Sequence, residues 1–166
     1  MPCQGSNHDA PHIITAPPIA RHSALPGAAM TDPKPDISSL QRALGRLIEG
    51  VARYERDTSD TQIRDGLVQR FEFTYEIAHK LLKRFLEYTS PNPEQFDSMS
   101  FQDLIRTADE QGLLRGEWAD WRRFREMRSK TSHTDNEDVA LEVVDGIPSF
   151  IAEARALHER LTERLA

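Results

Sequence analysis

The apolar residues of this chain recur at helical spacing, and this pattern restricts the fold more than any other feature of the sequence. The longest example runs from Thr61 to Tyr88, where apolar residues follow one another at steps of three or four. The residues of this stripe are Leu67, Phe71, Tyr75, Ala78, Leu82 and Phe85. A second stripe of Phe73, Ile77 and Leu81 predicts packing against more than one neighbour. Sustained alternation of apolar and polar residues is absent, so we expect an all-α protein without a sheet.

Capping residues and helix breakers divide the first part of the pattern into three helices. The first helix begins near Asp36, and the polar cluster 57–60 separates it from the second. Two prolines within residues 89–93 end the second helix, because proline cannot continue it. Ser100 is a good cap for a shorter helix that ends just before Gly112. This part of the chain therefore predicts two long helices and one short one.

The last part of the chain predicts two further helices. One starts near Gly116, and the other is capped by Asp135 or Asn136. The final helix has a long amphipathic pattern that Gly146 and Pro148 interrupt. We therefore expect it to be kinked or split at that point.

The N-terminal segment differs in composition from the rest of the chain. Residues 1–36 hold seven of the ten prolines and have no sustained apolar period. Such a segment cannot bury enough apolar surface to offset its ordering entropy. We predict a disordered, proline-rich extension over residues 1–36 and a helical domain over residues 37–166. Met30 suggests an alternative start, which would make residues 1–29 an upstream extension.

Charge and cysteine content exclude several classes of protein. A formal net charge of −6 is unlike that of a general nucleic-acid-binding protein, although a local basic cleft is compatible with it. The single cysteine, Cys3, allows no disulfide framework and no cysteine-based metal site. The sequence has neither an apolar run of membrane-spanning length nor a pattern typical of a signal peptide. We therefore predict a cytoplasmic protein.

One arginine stands where an apolar stripe would continue. The stripe of the fourth helix passes through Trp118, Trp121, Phe124 and Met127 and leads to position 127 or 128. Arg128 therefore lies on or beside the line that faces the core. An unpaired buried charge is too costly, so this guanidinium must be paired or face a cleft or an interface.

The polar positions of the second helix have a simpler interpretation. They include Asp65, Gln69, Glu72, Glu76 and Lys80. We interpret them as a solvated face whose charges pair with neighbours four residues along the helix.

Two segments resemble the signatures of a known family. Residues 65–80, DGLVQRFEFTYEIAHK, resemble the signature helix of the nucleotidyltransferase substrate-binding proteins of the HEPN superfamily. The Arg128-x4-His133 pair resembles the second signature of this family. The resemblance covers residues 40–161 and implies an up-and-down four-helix bundle with an extra short helix.

The resemblance also implies a function and partners. Members form homodimers, are encoded beside a small nucleotidyltransferase and bind it. Many of these pairs are toxin–antitoxin modules in which the HEPN protein is a metal-independent ribonuclease. In some systems the partner adds AMP to a tyrosine two residues after the signature histidine.

This chain departs from the family pattern at three positions. Ser129 follows the signature arginine, where asparagine or another strongly polar residue is usual. Asp135 replaces the tyrosine that accepts AMP, so the usual acceptor is missing. His79 stands where tryptophan is common, which we interpret as a variation in packing.

For a ribonuclease, the residues around the second signature supply suitable chemistry. RNA carries its own nucleophile, the 2′-hydroxyl, so no metal or other cofactor is expected. His133 is the candidate general acid or base, and Arg128 the candidate ligand for the phosphate. The candidate substrate-binding residues around them are Ser129, Lys130, Thr131, Ser132 and Thr134. In the alternative interpretation, Arg128 ties the helix end to a carboxylate and His133 is an ordinary turn residue.

Three functional hypotheses stay open at this point. The first is a ribonuclease toxin that a nucleotidyltransferase holds in check. The second is a non-catalytic subunit that presents RNA or a nucleotide to that enzyme, and the third is a purely structural dimer. Phosphate-binding glycine loops are absent, and His8 and His12 lie in the N-terminal segment with nothing to align them, so a zinc site has little support.

Overall fold

Five α-helices make up the fold of the computed structural model, which describes residues 33–133 and 135–166. They are α1 (Ser38–Arg56), α2 (Thr61–Thr89), α3 (Phe101–Glu110), α4 (Trp118–Lys130) and α5 (Glu137–Leu165). Short 3-10 helices at Pro93–Phe96 and Thr131–His133 follow α2 and α4. The described residues contain no strand. The predicted all-α bundle, with four longer helices and one short one, is confirmed.

The helix ends follow the local chemistry of the sequence. The Asp60 carboxylate accepts the backbone N–H groups of Gln62 and Ile63 and caps α2. The Ser100 hydroxyl caps α3, as predicted, by accepting the N–H of Asp103. Gly112 has a φ of 70° just after α3, a left-handed conformation that favours glycine. The predicted boundaries of α2 and α3 are therefore confirmed.

The last helix is continuous, so of the two predicted alternatives, a kink or a split, the split is wrong and the kink stays a prediction. Asn136, one of the two predicted caps, accepts the N–H groups of Asp138 and Val139 at the start of α5. Gly146 and Pro148 both lie inside this helix. Pro148 is exposed, so its ring reaches the surface while the helix runs on to Leu165.

The core lies around α2, which packs against α1, α3, α4 and α5. Three phenylalanines form its centre: Phe71 on α2 meets Phe150 on α5 edge to face at 5.1 Å, and Phe150 meets Phe124 on α4 at 5.4 Å. The prediction that α2 has several neighbours is confirmed. Its second stripe is covered unevenly. Leu81 is buried and Ile77 is partly buried, whereas Phe73 is 58% exposed.

Residues 33–37, which precede α1, lie against the helical domain. Pro35 is buried, and the Lys34 ammonium donates to the backbone carbonyl of Leu165. The predicted disorder covers residues 1–36, of which 1–32 lie outside the described residues. The domain boundary at residue 37 stays a prediction.

Candidate functional site

Arg128 joins the C-terminal turn of α4 to two carboxylates on α2. Its Nε donates to Glu76 Oε1 at 2.9 Å, and its Nη2 lies 3.0 Å from Glu72 Oε1. The side chains of Arg128, Glu72 and Glu76 are 28%, 36% and 37% exposed. The arginine is therefore paired, as its position in the stripe predicted. Glu72 and Glu76 are partly exposed, as predicted, but the predicted pairing along the same helix is wrong for them, because both bind a cation of another helix.

Thr131 completes this cluster. Its buried hydroxyl lies 2.8 Å from the Arg128 carbonyl and 3.2 Å from Glu72 Oε2, and its single proton can go to only one of them at a time. Arg128 Nη1 reaches the same hydroxyl at 3.5 Å, a weak contact. A guanidinium has five N–H donors; here Nε donates to Glu76, Nη1 contacts Thr131, and Nη2 is ion-paired with Glu72. The guanidinium therefore retains N–H donors that no described residue accepts.

The other predicted site residues differ in their availability. Ser129, Ser132 and His133 are exposed, and the His133 imidazole makes no hydrogen bond or ion pair with any described residue. Lys130 donates to Glu142 of α5 at 2.6 Å and is therefore already paired. Thr134 lies outside the described residues. The structure thus leaves these hydroxyls and the imidazole accessible, and Ser129 lines the same groove as Arg128.

A groove of about 340 Å³ between α2, α3 and α4 opens beside Arg128. The residues that line it are Tyr75, Glu76, His79, Phe101, Arg125, Arg128 and Ser129. His79 stacks on Tyr75, with ring centroids 6.2 Å apart, and its other neighbour is Phe101 at 5.4 Å. The Arg125 guanidinium carbon lies 4.5 Å from the centroid of the Phe101 ring. Flat side chains therefore lead away from the arginine cluster.

Burial changes the titration of two groups in this groove. It lowers the pKa of His79 below its usual value, and it raises the pKa of Tyr75 to about 12. His79 is therefore a neutral imidazole at neutral pH, with one nitrogen donating and the other accepting. Its interpretation as a packing variation is incomplete, because it presents polar atoms to an open groove.

Sequence reasoning missed Glu72 and Glu76 as members of the site. A signal was available, because two glutamates four residues apart on one helix repel each other. Such a pair is stable when a cation from elsewhere binds both. The contribution of Arg125 to the groove was missed as well, and its position on the polar side of α4 offers no local signal.

Metal clusters and membrane-spanning helices are both absent from the part of the chain that the structure describes. Within residues 33–133 and 135–166, no three histidine, cysteine, aspartate or glutamate side chains converge in a way that could hold a metal ion. No helix in these ranges is long and apolar enough to cross a membrane.

Comparison with known families agrees with the signature segments. A family model described as nucleotidyltransferase substrate binding protein like matches residues 35–163. The chain belongs to this family. The match includes both the α2 carboxylates and the Arg128 cluster, so the whole site lies within the family domain. The resemblance noted in the sequence is confirmed.

Individual members of the nucleotidyltransferase substrate-binding family show the same relationship. A Haemophilus influenzae protein named probable ribonuclease HepT is 36% identical over 99 residues, which is 60% of this chain and 67% of the relative. The structure of HI0074 from the same organism has a TM-score of 0.71 at 30% identity. The match covers 76% of this chain and 99% of HI0074. The HI0074 structure is described as the fold of a substrate binding domain of a nucleotidyltransferase. A structure from Thermus thermophilus has a TM-score of 0.58 at 34% identity, and covers 76% of this chain and 98% of its own.

Proposed function

We propose that this protein is the HEPN subunit of a nucleotidyltransferase-containing module and cleaves RNA without a metal, using Arg128 and His133. The observation that carries the proposal is the pairing of Arg128 with two α2 carboxylates. The pairing fixes the guanidinium at the end of α4, five residues before the exposed His133 in the chain. The relative named probable ribonuclease supports the same activity.

The proposed reaction uses the nucleophile that RNA itself contains. A base removes the proton of the 2′-hydroxyl, the 2′-oxygen forms a bond to the adjacent phosphorus, and the bond from phosphorus to the 5′-oxygen breaks. An acid protonates the departing 5′-oxygen, so the products are a cyclic phosphate and a 5′-hydroxyl. Histidine suits both roles near neutral pH. In a homodimer, His133 of each copy would supply one of the two groups.

The neighbouring residues have separate roles in this proposal. Arg128 holds the phosphate and stabilises the charge that grows on its oxygens. Ser129 and Ser132 are exposed and would donate to phosphate oxygens, with Thr134 as a further candidate. Thr131 would instead position Arg128 and Glu72, because its hydroxyl already faces both. Lys130 would attract RNA only after its contact with Glu142 opens.

The proposed partners are a second copy of this chain and a small nucleotidyltransferase encoded nearby, acting in the cytoplasm. The family description supports the nucleotidyltransferase. Asp135 is not the usual AMP acceptor, so neutralisation would proceed by binding or through another acceptor. The module is complete, in this proposal, only when both proteins are present.

A second candidate function is that of a non-catalytic subunit that presents RNA or a nucleotide to the nucleotidyltransferase. One observation favours it: Glu72 and Glu76 together carry two negative charges beside the single positive charge of Arg128. This cluster attracts a phosphate less strongly than an unpaired arginine does. Under this hypothesis the wild-type chain binds RNA or nucleotides but leaves RNA intact.

Expression of the chain alone separates the two functions. We expect growth arrest and RNA cleavage that persists in excess EDTA. Arg128→Ala and His133→Ala should each lower the cleavage rate by about 100-fold or more, in the range that a lost charge-stabilising group or general acid–base residue costs.

Matched controls keep this experiment interpretable. Arg122→Ala removes a 62% exposed arginine from the same helix, and His158→Ala removes a histidine of α5. Both should cleave RNA at the wild-type rate. Intact RNA and normal growth with the wild-type chain would exclude the ribonuclease and favour the presenting subunit.

A further inference from the structure

The groove beside Arg128 has a composition suited to a flat ligand. His79, Phe101 and Arg125 are planar side chains in contact: the rings of His79 and Phe101 lie 5.4 Å apart and are tilted by 58°, and the Arg125 guanidinium lies over the Phe101 ring at 4.5 Å. Trp118 extends this group behind Phe101 at 5.7 Å. Nucleobases stack on aromatic rings and on guanidinium planes in single-stranded RNA recognition.

The cation of the groove that is available to an anion is Arg125. Arg128 is paired with Glu72 and Glu76, whereas Arg125 makes no ion pair with any carboxylate of the described residues. The two guanidinium groups balance the two carboxylates, and the charge of Arg125 is the one that no carboxylate neutralises directly. Ser129 adds an exposed hydroxyl beside them.

The size of the groove suits a single nucleotide. Its volume of about 340 Å³ lies near the lower end of ligand pockets, which span roughly 300–1,000 Å³. One nucleotide fits such a space, whereas several stacked bases do not. The groove is also open to solvent on the side of Arg125, which is exposed.

We propose that this groove is a subsite for one nucleotide of single-stranded RNA. Its base lies against the planar groups Phe101, His79 and Arg125, and its phosphate lies towards Arg128 and Ser129. The subsite rests on the proposed function only for the identity of the ligand as RNA. It gives the RNA a second point of attachment beside the Arg128 cluster, and so contributes to binding.

The subsite also explains why His79 is useful where tryptophan is common. A neutral imidazole keeps a flat surface for stacking and adds a donor and an acceptor for the edge of a base. Tryptophan offers a larger surface but only a donor. His79 would therefore contribute base selectivity as well as stacking.

Nucleotide binding to the full chain tests the subsite directly. AMP, CMP, adenosine and inorganic phosphate are titrated separately, with isothermal calorimetry as the measurement. AMP or CMP should bind more tightly than adenosine or phosphate alone, since only a nucleotide fills both ends of the groove. Phe101→Leu and Arg125→Gln should each weaken nucleotide binding by about 5–100-fold, the range for lost base stacking.

Two variants outside the groove serve as matched controls. Phe73→Leu changes an exposed phenylalanine of α2, and Arg122→Gln changes an exposed arginine of α4. Neither should change nucleotide binding. Equal effects in the controls and the groove variants, phosphate binding as tight as AMP binding, or no nucleotide binding at all would each overturn the subsite.

RNA cleavage by the same variants distinguishes the subsite from the proposed function. Phe101→Leu should raise KM for RNA and leave kcat nearly unchanged, whereas Arg128→Ala lowers kcat. If RNA is cleaved with a normal KM by Phe101→Leu, the ribonuclease stands and the subsite is wrong. If RNA stays intact while AMP binds in a manner that depends on Phe101, the subsite stands and the ribonuclease is wrong.

Discussion

The two ends of α4 are each held by glutamate, but in opposite physical settings. Near its start, Glu153 of α5 is 3% exposed and accepts three N–H groups, from Arg115 at 3.0 Å, Gly116 at 2.7 Å and the Trp121 indole at 3.1 Å. Near its end, Arg128 meets two carboxylates that are more than a third exposed. One cluster is closed to solvent and the other is open to it.

The difference in exposure gives the two clusters of α4 different roles. Both oxygens of Glu153 are occupied by donors of the chain itself, and two of these are backbone N–H groups. The guanidinium of Arg128 retains unused donors and adjoins a groove. The closed cluster fixes where α4 begins, whereas the open cluster can exchange a partner for a ligand.

The largest expected effect comes from opening the closed cluster. Glu153→Ala should lower the free energy of unfolding by about 3–5 kcal/mol, because it leaves buried donors without an acceptor. Urea denaturation followed by circular dichroism measures this loss. Glu159→Ala changes an exposed residue of the same helix and should cost less than about 0.5 kcal/mol. A loss below about 1 kcal/mol for Glu153→Ala would contradict the structural role given to this carboxylate.

A smaller effect is expected from the contact between α5 and the end of α4. A Cβ added at Gly146 would lie 2.5 Å from Met127 Sδ, so the methionine next to Arg128 must move. Gly146→Ala should cost up to about 2 kcal/mol of unfolding free energy, because the higher helix propensity of alanine offsets part of the overpacking cost. Gly45→Ala is the matched control, because a Cβ there meets nothing within 4 Å. That variant should be as stable as the wild type or up to about 1 kcal/mol more stable.

Removing the arginine of the open cluster should have a still smaller effect on stability. Arg128→Ala breaks two ion pairs that solvent screens, so the free energy of unfolding should fall by no more than about 1 kcal/mol. Thermal and urea denaturation of the same preparation used for RNA cleavage provide the measurement. A loss as large as that of Glu153→Ala would show that the two clusters are both structural and would remove the contrast between them.

The smallest expected effect is a pH dependence at the groove. Burial lowers the pKa of His79 below its usual 6.5, while Arg125, Lys83 and Lys80 lower it further and Glu76 raises it. The unfolded chain therefore gains this proton at a higher pH than the folded chain does. The contribution of the neutral His79 to the free energy of unfolding is fully present above pH 6.5. It is lost as the pH falls from 6.5 to the lower pKa that His79 has in the folded state.

Urea denaturation between about pH 7 and pH 5 tests this dependence. His79→Gln should give a shallower fall in the free energy of unfolding over this window than the wild type. His158→Gln, which changes a histidine on α5, should retain the wild-type slope. Identical slopes for His79→Gln and the wild type would show that this imidazole is not held neutral by the fold.

Local signals in the sequence predicted most helix boundaries, and the exceptions have a physical cause. Ser100, Gly112 and Asn136 act within one turn of their own helix, so their roles follow from residue type alone. The predicted start of α4 near Gly116 is two residues early. The N–H groups of Arg115 and Gly116 bind Glu153, which is 37 or more residues away in the chain, and this contact holds both residues outside the helix.

The site was predicted in part, for a similar reason. The position of Arg128 in an apolar stripe required a partner, and the family signatures identified the segment around His133. The identity of the partners was not accessible, because Glu76 lies 52 residues away along the chain. Sequence reasoning assigned no role to Phe101 of α3, and this residue proves to be partly buried at a groove wall.

The sequence by itself determined the helical class, most helix ends, the family and the need of Arg128 for a partner. Each of these depends on spacing or on residue type over a few turns. Tertiary structure decided that Glu72 and Glu76 meet Arg128, that Glu153 sets the start of α4, and that planar side chains line one groove. Periodicity shows which face of a helix is apolar, but only packing of the whole bundle decides which polar faces meet.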